Sequence, residues 1–440
     1  MKIKLPSVNE FILEHTRNGV PNNHFYRNLI KKTVNEFKYG TREFTSIEDV
    51  NLEIKNNIEY FDLDKRSFLN GTGVLIHTGY GNAPLDKNTI SYLNSSCGFT
   101  PTGNKIHKNR TQWIEDFLKI YTQCPSAQII NNNSSTYTLI CNEIAAGNDI
   151  LLAAMENVEI SQGATIKKLC EAGGAAVNLV GSANCITIKD YETNITKNTS
   201  AIFKVFPANC KLVGFQNKVE ITQLAKLAQK HHIPLIINLG GGSLVDITKF
   251  GLPYVPCVAD SLAQGADIVC FSGDKIIGGP QAGIILGRND LVSKFKKNIF
   301  SRSFRVCKLT IGALEFSLKN YSLFSDGDPD FNYLVKSLTI PIENLNIRAE
   351  KIVKQLTNTK LDVTTTKTCN SEAGGAILPG IYFPSILINI YCNNSSLIAL
   401  FDYMYCNSII CTINRNCLNI DLRSFPADSD NSLIKLLNAY

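Results

Sequence analysis

No run in this 440-residue sequence approaches the roughly 20 uninterrupted apolar residues of a membrane-spanning helix. The opening stretch Met1-Lys2-Ile3-Lys4-Leu5-Pro6 also lacks a secretory apolar block. Those two absences exclude a helical membrane protein and lead to the expectation of a cytosolic, that is cytoplasmic, chain. Cys-x-x-Cys spacing is missing as well: the 14 cysteines are scattered singly from Cys97 to Cys417. A zinc or redox site of that spacing is therefore not expected, and the cysteines read as reduced, mostly buried small apolar residues. Neither sign of charge dominates, since 44 Lys and Arg against 38 Asp and Glu give a net charge of +6. That balance permits an anionic partner without requiring one. Its distribution says more. Residues 1 to 42 hold eight basic residues (Lys2, Lys4, Arg17, Arg27, Lys31, Lys32, Lys38 and Arg42) against three acids (Glu10, Glu14 and Glu36). The excess favours a phosphate-rich partner, although a solvated helical face would give the same count.

What the sequence does contain is a lysine between two strand-like apolar runs. One run ends at Phe271, the next begins at Ile284, and the intervening polar and glycine positions carry a single amine, Lys275. A lysine in such a place tends to have a lowered pKa, and a neutral amine can attack a carbonyl. Ser272 is placed to hydrogen-bond a phosphate, while Gly278 and Gly279 let backbone approach a flat ligand. The chemistry suggested is pyridoxal 5′-phosphate joined to Lys275. A glycine-rich turn carrying a solvated lysine is the plainer alternative.

Residues 1–66 read as a helical N-terminal module, with Phe11, Ile12, Tyr26, Leu29, Ile30, Val34 and Phe37 at helical spacing and Asp62 to Arg66 as a linker. Residues 69–81 are strand-like with tight turns. Residues 82–126 are less regular, and the basic segment Lys105, His107, Lys108, Arg110 reads as a loop. The stretch from Gln128 through Asn131, Asn132, Asn133, Ser134 and Ser135 opens a helix running to about Ala146. Asn132, Asn133 and Ser134 are the candidate cradle for the cofactor phosphate, at the positive end of that helix. Strands and helices then alternate: 150–153, 161–172, 176–180, 201–205, 221–231, 234–237 and 268–271. That order predicts an α/β fold, a mostly parallel sheet covered by helices on both faces. The turn Asn238 to Ser243 lies where such sheets bind ligands. A large domain is expected over 67–325 and a smaller α+β domain over 326–440, with late strands at 409–413 and 418–422.

Several segments together resemble the bacterial L-seryl-tRNA(Sec) selenium transferases, or selenocysteine synthases. They include Leu5-Pro6-Ser7-Val8, Asn70 through Thr78, Asn131-Asn132-Asn133, Val158-Glu159-Ile160, Lys204-Val205 and Val213-Gly214-Phe215. Gly242 through Asp246, Phe271 through Gly283, Arg305 through Thr310 and Asp421-Leu422-Arg423 complete the set. The resemblance implies a pyridoxal phosphate enzyme of fold type I whose Lys275 holds the cofactor. The implied reaction removes water from serine esterified to tRNA(Sec), giving an aminoacrylate that accepts selenium from selenophosphate. Arg302 and Arg305 are implied to bind that oxyanion, though both could equally be surface charges. The N-terminal module is implied to contact tRNA, and the chain to form homo-oligomers, dimers assembled into a larger ring.

Four positions depart from the family pattern. Asn238 stands where fold-type-I enzymes place an aspartate under the pyridine nitrogen, which exchanges a charge-assisted hydrogen bond of about 1.5–3 kcal/mol for a neutral one near 0.5–1.5. Arginines expected in the family are replaced at Asn82, in the stretch Ala153-Ala154-Met155, and at Cys185. The changes leave room for two other functions: a related lyase or transferase acting on a small amino acid, or a non-catalytic homologue.

Overall fold

The computed structural model describes residues 5–40, 42–43, 45–61, 68–96, 109–324, 328–375, 377–392, 396–414 and 416–440. These fall into two compact units, one running to Leu69 and including Ile398–Ile410, the other made of Asn70–Leu397 and Cys411–Tyr440. The expected linker Asp62 to Arg66, the basic residues Lys105, His107 and Lys108, and the expected domain boundaries at 66/67 and 325/326 lie outside the described residues.

The smaller unit is built on α1 (Val8–Arg17), α2 (His24–Lys38) and α3 (Ile47–Tyr60). Each begins at a side-chain cap: Ser7 with Glu10, Asn23 on the Tyr26 N–H, and Ser46 with Asp49. Phe11, Ile30, Val34, Phe37, Val50 and Ile54 close its core. α3 carries Glu48, Asp49, Glu53 and Glu59 against Lys55 alone. The basic character is therefore local to α2, where Arg27, Lys31 and Lys38 are exposed and recur at spacings of four and seven on one face.

The larger unit starts with β1 (Val74–Ile76) and then builds a seven-stranded sheet. Its strands are β2 (Ser126–Ile130), β3 (Asp149–Ala153), β4 (Ala176–Val180), β5 (Thr199–Val205), β6 (Leu235–Asn238), β7 (Ile268–Ser272) and β8 (Gly283–Gly287). They lie in the order β2-β8-β7-β6-β5-β3-β4, with β8 the one antiparallel member. Neighbouring residues along the strands enter different cores. Leu151, Ile202, Ile237, Val269 and Ile284 pack with α6 (Ile221–Lys230) and α8 (Lys308–Ser322). Ile150, Phe203, Ile236, Cys270 and Ile285 pack with α4 (Ser134–Ile144), α5 (Ile166–Ala172) and α7 (Asn289–Lys297). Apolar residues on both sides of one strand are what a parallel sheet sandwiched by helices requires. Seven of the twelve described cysteines are buried, and burial pushes the Cys270 and Cys411 thiols up to about 12, so they act as packing groups.

Three expectations need correction. The stretch 82–126 is not irregular throughout, since helices form at Lys87–Ser96 and Gln112–Thr122, the second burying Ile114 and Leu118. Gln128 belongs to β2 rather than to a helix, which begins only at Ser134; with every residue of β2 buried there is no alternation to reveal the strand. The strand expected at 409–413 breaks into Ile409–Ile410 and Thr412–Asn414.

A second sheet joins β9 (Leu361–Gly374), β10 (Ile377–Cys392), β11 (Thr412–Asn414) and β12 (Cys417–Asp421) in the order β11-β12-β10-β9-β1. The Asp421-Leu422-Arg423 motif ends this sheet as a structural knot. Buried Asp421 accepts from the hydroxyls of Ser371 and Ser385 and from the Arg423 N–H. The Arg423 guanidinium donates to the carbonyls of Pro384, Ser337, Leu338 and Ile340 at 2.6–3.0 Å. Replacing Arg423 by Met strips donors from four carbonyls at once. We expect Arg423→Met to lose about 3 kcal/mol or more of unfolding free energy in a denaturant titration.

Candidate active site

Three loops meet at the carboxyl edge of the seven-stranded sheet because of strand register. Cys270 pairs with Asn238, the Leu239 N–H donates to the Cys270 carbonyl, and the Ser272 N–H donates to that of Gly240. The turn after β6 thus lies beside the end of β7. On the other side, Gly283 pairs with Ile130, so β8 returns the lysine loop against the asparagine turn after β2. The Asn131 N–H donates to the Phe304 carbonyl at 2.7 Å, and Gln128 Nε2 donates to Ser301 Oγ at 2.8 Å. These bonds fix the segment bearing Arg302 and Arg305 to the same asparagine turn. Both arginines are exposed.

Lys275 sits in the loop between β7 and β8, partly buried. Burial lowers its pKa from the ordinary lysine value, against the opposing pull of the neighbouring Asp274 carboxylate, and no described residue hydrogen-bonds its amine. The backbone around it is held firmly. Asn332 Nδ2 donates to the Ile276 carbonyl at 2.6 Å and to Tyr321 Oη at 3.0 Å, and Tyr321 Oη donates to the carbonyls of Ile276 and Ile277. Asn332 Oδ1 meanwhile accepts from the Leu334 and Val335 N–H groups, so one buried amide joins the loop to a helix start.

The other expected residues are committed largely to one another. Ser272 Oγ donates to Asp274 Oδ1 at 2.6 Å, and Asn82 Nδ2 donates to Asp274 Oδ2 at 2.7 Å. Asn132 Oδ1 accepts from the N–H and hydroxyl of Ser135, in the first turn of α4. Asn133 and Asn238 form a reciprocal amide pair: Asn133 Nδ2 donates to Asn238 Oδ1 at 2.9 Å, and Asn238 Nδ2 donates back to Asn133 Oδ1 at 3.1 Å. Asn238 Oδ1 also accepts from the Gly240 N–H, and Asn238 Nδ2 lies 3.3 Å from Thr136 Oγ1. The amide of Asn238 is saturated and 2% exposed.

Donors for a phosphate remain at the head of α4. The Ser134 N–H and hydroxyl have no partner among the described residues, and Asn131 Oδ1 is buried without one. An amide turned about its terminal bond presents NH₂ where its oxygen stood. The unspent amine and these donors suit the aldehyde and phosphate ends of pyridoxal phosphate; Asn238, the residue expected under the ring nitrogen, would offer it only a neutral, already paired amide.

The sequence reading passed over Asp274, Asn332 and a buried ion pair. Lys204 Nζ lies 3.2 Å from Glu156 Oε1, and Glu156 Oε2 accepts from the Val205 N–H at 2.7 Å. Burial pushes the Glu156 carboxyl above its ordinary value despite those partners. A lysine inside an apolar strand was the available signal.

The Lys275 shift has a stability consequence. Its folded pKa lies below the unfolded value, so at neutral pH, where the unfolded amine is protonated, folding bears the desolvation cost of the charged form. We expect Lys275→Met to unfold at higher temperature than the cofactor-free parent at pH 7, with the difference shrinking as pH rises toward 10.5, the ordinary lysine value. Parallel melting curves across that range check the sign.

The sequence profile of the family described as L-seryl-tRNA selenium transferase matches residues 68–426. The L-seryl-tRNA(Sec) selenium transferase of Carboxydothermus hydrogenoformans is 37% identical over 355 residues, 78% of this chain and 74% of the relative. That of Aquifex aeolicus is 31% identical over 411 residues, 90% and 89% of the two chains. Among solved structures, D-glucosaminate-6-phosphate ammonia-lyase superposes with a TM-score of 0.59 at 17% identity, covering 87% of this chain and 97% of that one. That likeness speaks for the fold, the fold-type-I arrangement. With a family match across most of its length, the chain belongs to the L-seryl-tRNA selenium transferase family.

Proposed function

We propose that this protein converts seryl-tRNA(Sec) to selenocysteinyl-tRNA(Sec), with pyridoxal 5′-phosphate held at Lys275 and selenophosphate as selenium donor. The observation that carries the reading is an unpartnered, desolvated lysine at the carboxyl edge of a fold-type-I sheet, in a chain of this family. When bound, the cofactor supplies an aldehyde for an amine and a ring that withdraws electron density from the substrate Cα. The chain's own groups supply positioning and proton transfer. Lys275, with its proton affinity lowered by burial, takes the Cα proton of the seryl group and can return one. Ser134, with the Asn131 amide, offers donors to the phosphate, while Asn132 holds the α4 start in place and Ser272 steadies Asp274 beside the lysine. Asn133 and Asn238 would present a neutral amide pair, without a carboxylate, to the ring-nitrogen end. Arg302 and Arg305 present fork-shaped donors to the oxyanion of the selenium donor.

The N-terminal helical module, taken as residues 1–66, is assigned to tRNA contact, supported by the Arg27, Lys31 and Lys38 face of α2. Self-association into dimers, and these into a ring, is supported by apolar surface left open on the larger unit, where Val213 is 89% and Phe215 80% exposed. No described helix is long and apolar enough to cross a membrane; the proposed compartment is the cytoplasm.

The test is conversion of seryl-tRNA(Sec) with selenophosphate, run beside Lys275→Ala. We expect product from the parent only, together with a visible absorbance fixed by borohydride in the parent and missing in the variant. Turnover of free amino acids with indifference to that tRNA would replace this reading by a small-molecule lyase, and absence of both would leave a non-catalytic homologue. Deleting residues 1–60 should weaken tRNA(Sec) binding at least about tenfold and flatten its salt dependence, with the absorbance retained. Undiminished binding removes tRNA contact from the module.

A further inference from the structure

The lysine loop has a second side. Ile276, next to Lys275, joins Leu239 and Gly241 of the turn after β6 in walling a cavity of 390 Å³ whose lining includes neither Lys275 nor the asparagine turn. That volume lies in the range of small-ligand pockets, roughly 300–1,000 Å³. Its remaining apolar lining mixes aliphatic side chains, Ile377 and Leu378 among them, with the flat or rigid groups of Phe206, Tyr254, Pro207 and Pro379.

Charge is confined to the base and the mouth. At the base, Lys204 spends one of its three N–H donors on Glu156 and lies 5.4 Å from the Phe206 ring centre. Exposed Lys211 and Lys218 stand at the mouth, giving three ammonium groups against the single Glu156 carboxylate. The lysine stem of Lys211 crosses Gly380, whose φ is +69° and where an added Cβ would stand 3.3 Å from Lys211 Cδ.

An anion with a flat apolar body suits such a site. A small inorganic oxyanion would leave the apolar walls unused, and a free amino acid has no flat body to offer them. The proposed function adds a covalent constraint: an ester joins the seryl group directly to the terminal ribose, so that nucleoside must lie within a few bonds of any seryl group held at Lys275. Resting on that function, we propose that this cavity takes the 3′-terminal adenosine of the aminoacyl-RNA. The base lies among the aromatic and proline walls, and the adjoining phosphate faces Lys211 and Lys218.

The test measures calorimetric binding of a non-hydrolysable probe, 3′-(L-serylamino)-3′-deoxyadenosine 5′-phosphate, against L-serinamide, using the full chain with pyridoxal phosphate. The nucleotide probe should bind about tenfold or more tightly than serinamide. Lys211→Gln combined with Lys218→Gln, and separately Leu378→Trp, should each erase most of that preference while leaving serinamide binding and the cofactor absorbance unchanged. The exposed lysine changes keep the test valid if the Trp variant fails to fold. Equal binding of probe and serinamide, or equal weakening of both in the variants, overturns the assignment of the cavity. Missing cofactor absorbance with a nucleotide preference that still vanishes in the lysine variant overturns the cofactor reading and upholds the cavity.

Discussion

At Gly283 a Cβ atom would stand 2.2 Å from the carbonyl oxygen of Asn132, closer than any side chain permits. The arrangement at the sheet's edge depends on that missing carbon. Because β8 begins with glycine, the strand returning from the lysine loop can press against the turn after β2, and the loop is set between that turn and the one after β6. The same economy operates inside the loop. A Cβ at Gly273 would meet the Pro280 carbonyl at 2.8 Å, and the Gly273 N–H donates across the loop to Ala282. The glycines that look like a flexible turn are the reason the turn is tight.

Around Lys275 the polar side chains form closed partnerships rather than an array waiting for a ligand. Asp274 takes up both Ser272 and Asn82, and Asn133 and Asn238 take up one another. An amide pair of this kind is neutral, and each member fills the other's capacity. A carboxylate at 238 would set an oxygen against Asn133 Oδ1 and Thr136 Oγ1, the latter already donating to the Asn133 carbonyl at 2.6 Å. Residues 133 and 238 therefore form one unit, in which a change at either leaves the other with an unpaired buried group.

What could be read in the sequence follows from where the information lies. β6 and β7 were legible because short apolar runs with proline or glycine close by on either side leave few other conformations, and Lys275 was legible as the one amine between two apolar runs. The tie between Asn133 and Asn238 joins residues 105 apart, and nothing local at either position announces the other. Asn82 carries the same lesson: the sequence shows an arginine missing, whereas only the fold brings the asparagine to Asp274. The β9 arm of the long hairpin was hidden by threonines, whose alternation is polar on both sides; their pairing with β10 settles the conformation. β2 was misread because burial of every residue erases the period that distinguishes strand from helix.

Asn332 gives the two sides of the lysine loop a common frame. Its amide binds the Ile276 carbonyl, shares Tyr321 with Ile277, and is itself fixed by the Leu334 and Val335 N–H groups. Ile276 walls the cavity while Lys275 carries the amine, so a ligand seated against the first is registered to the second through one peptide unit. Fixing two groups on a single rigid element removes much of the entropy of bringing them together.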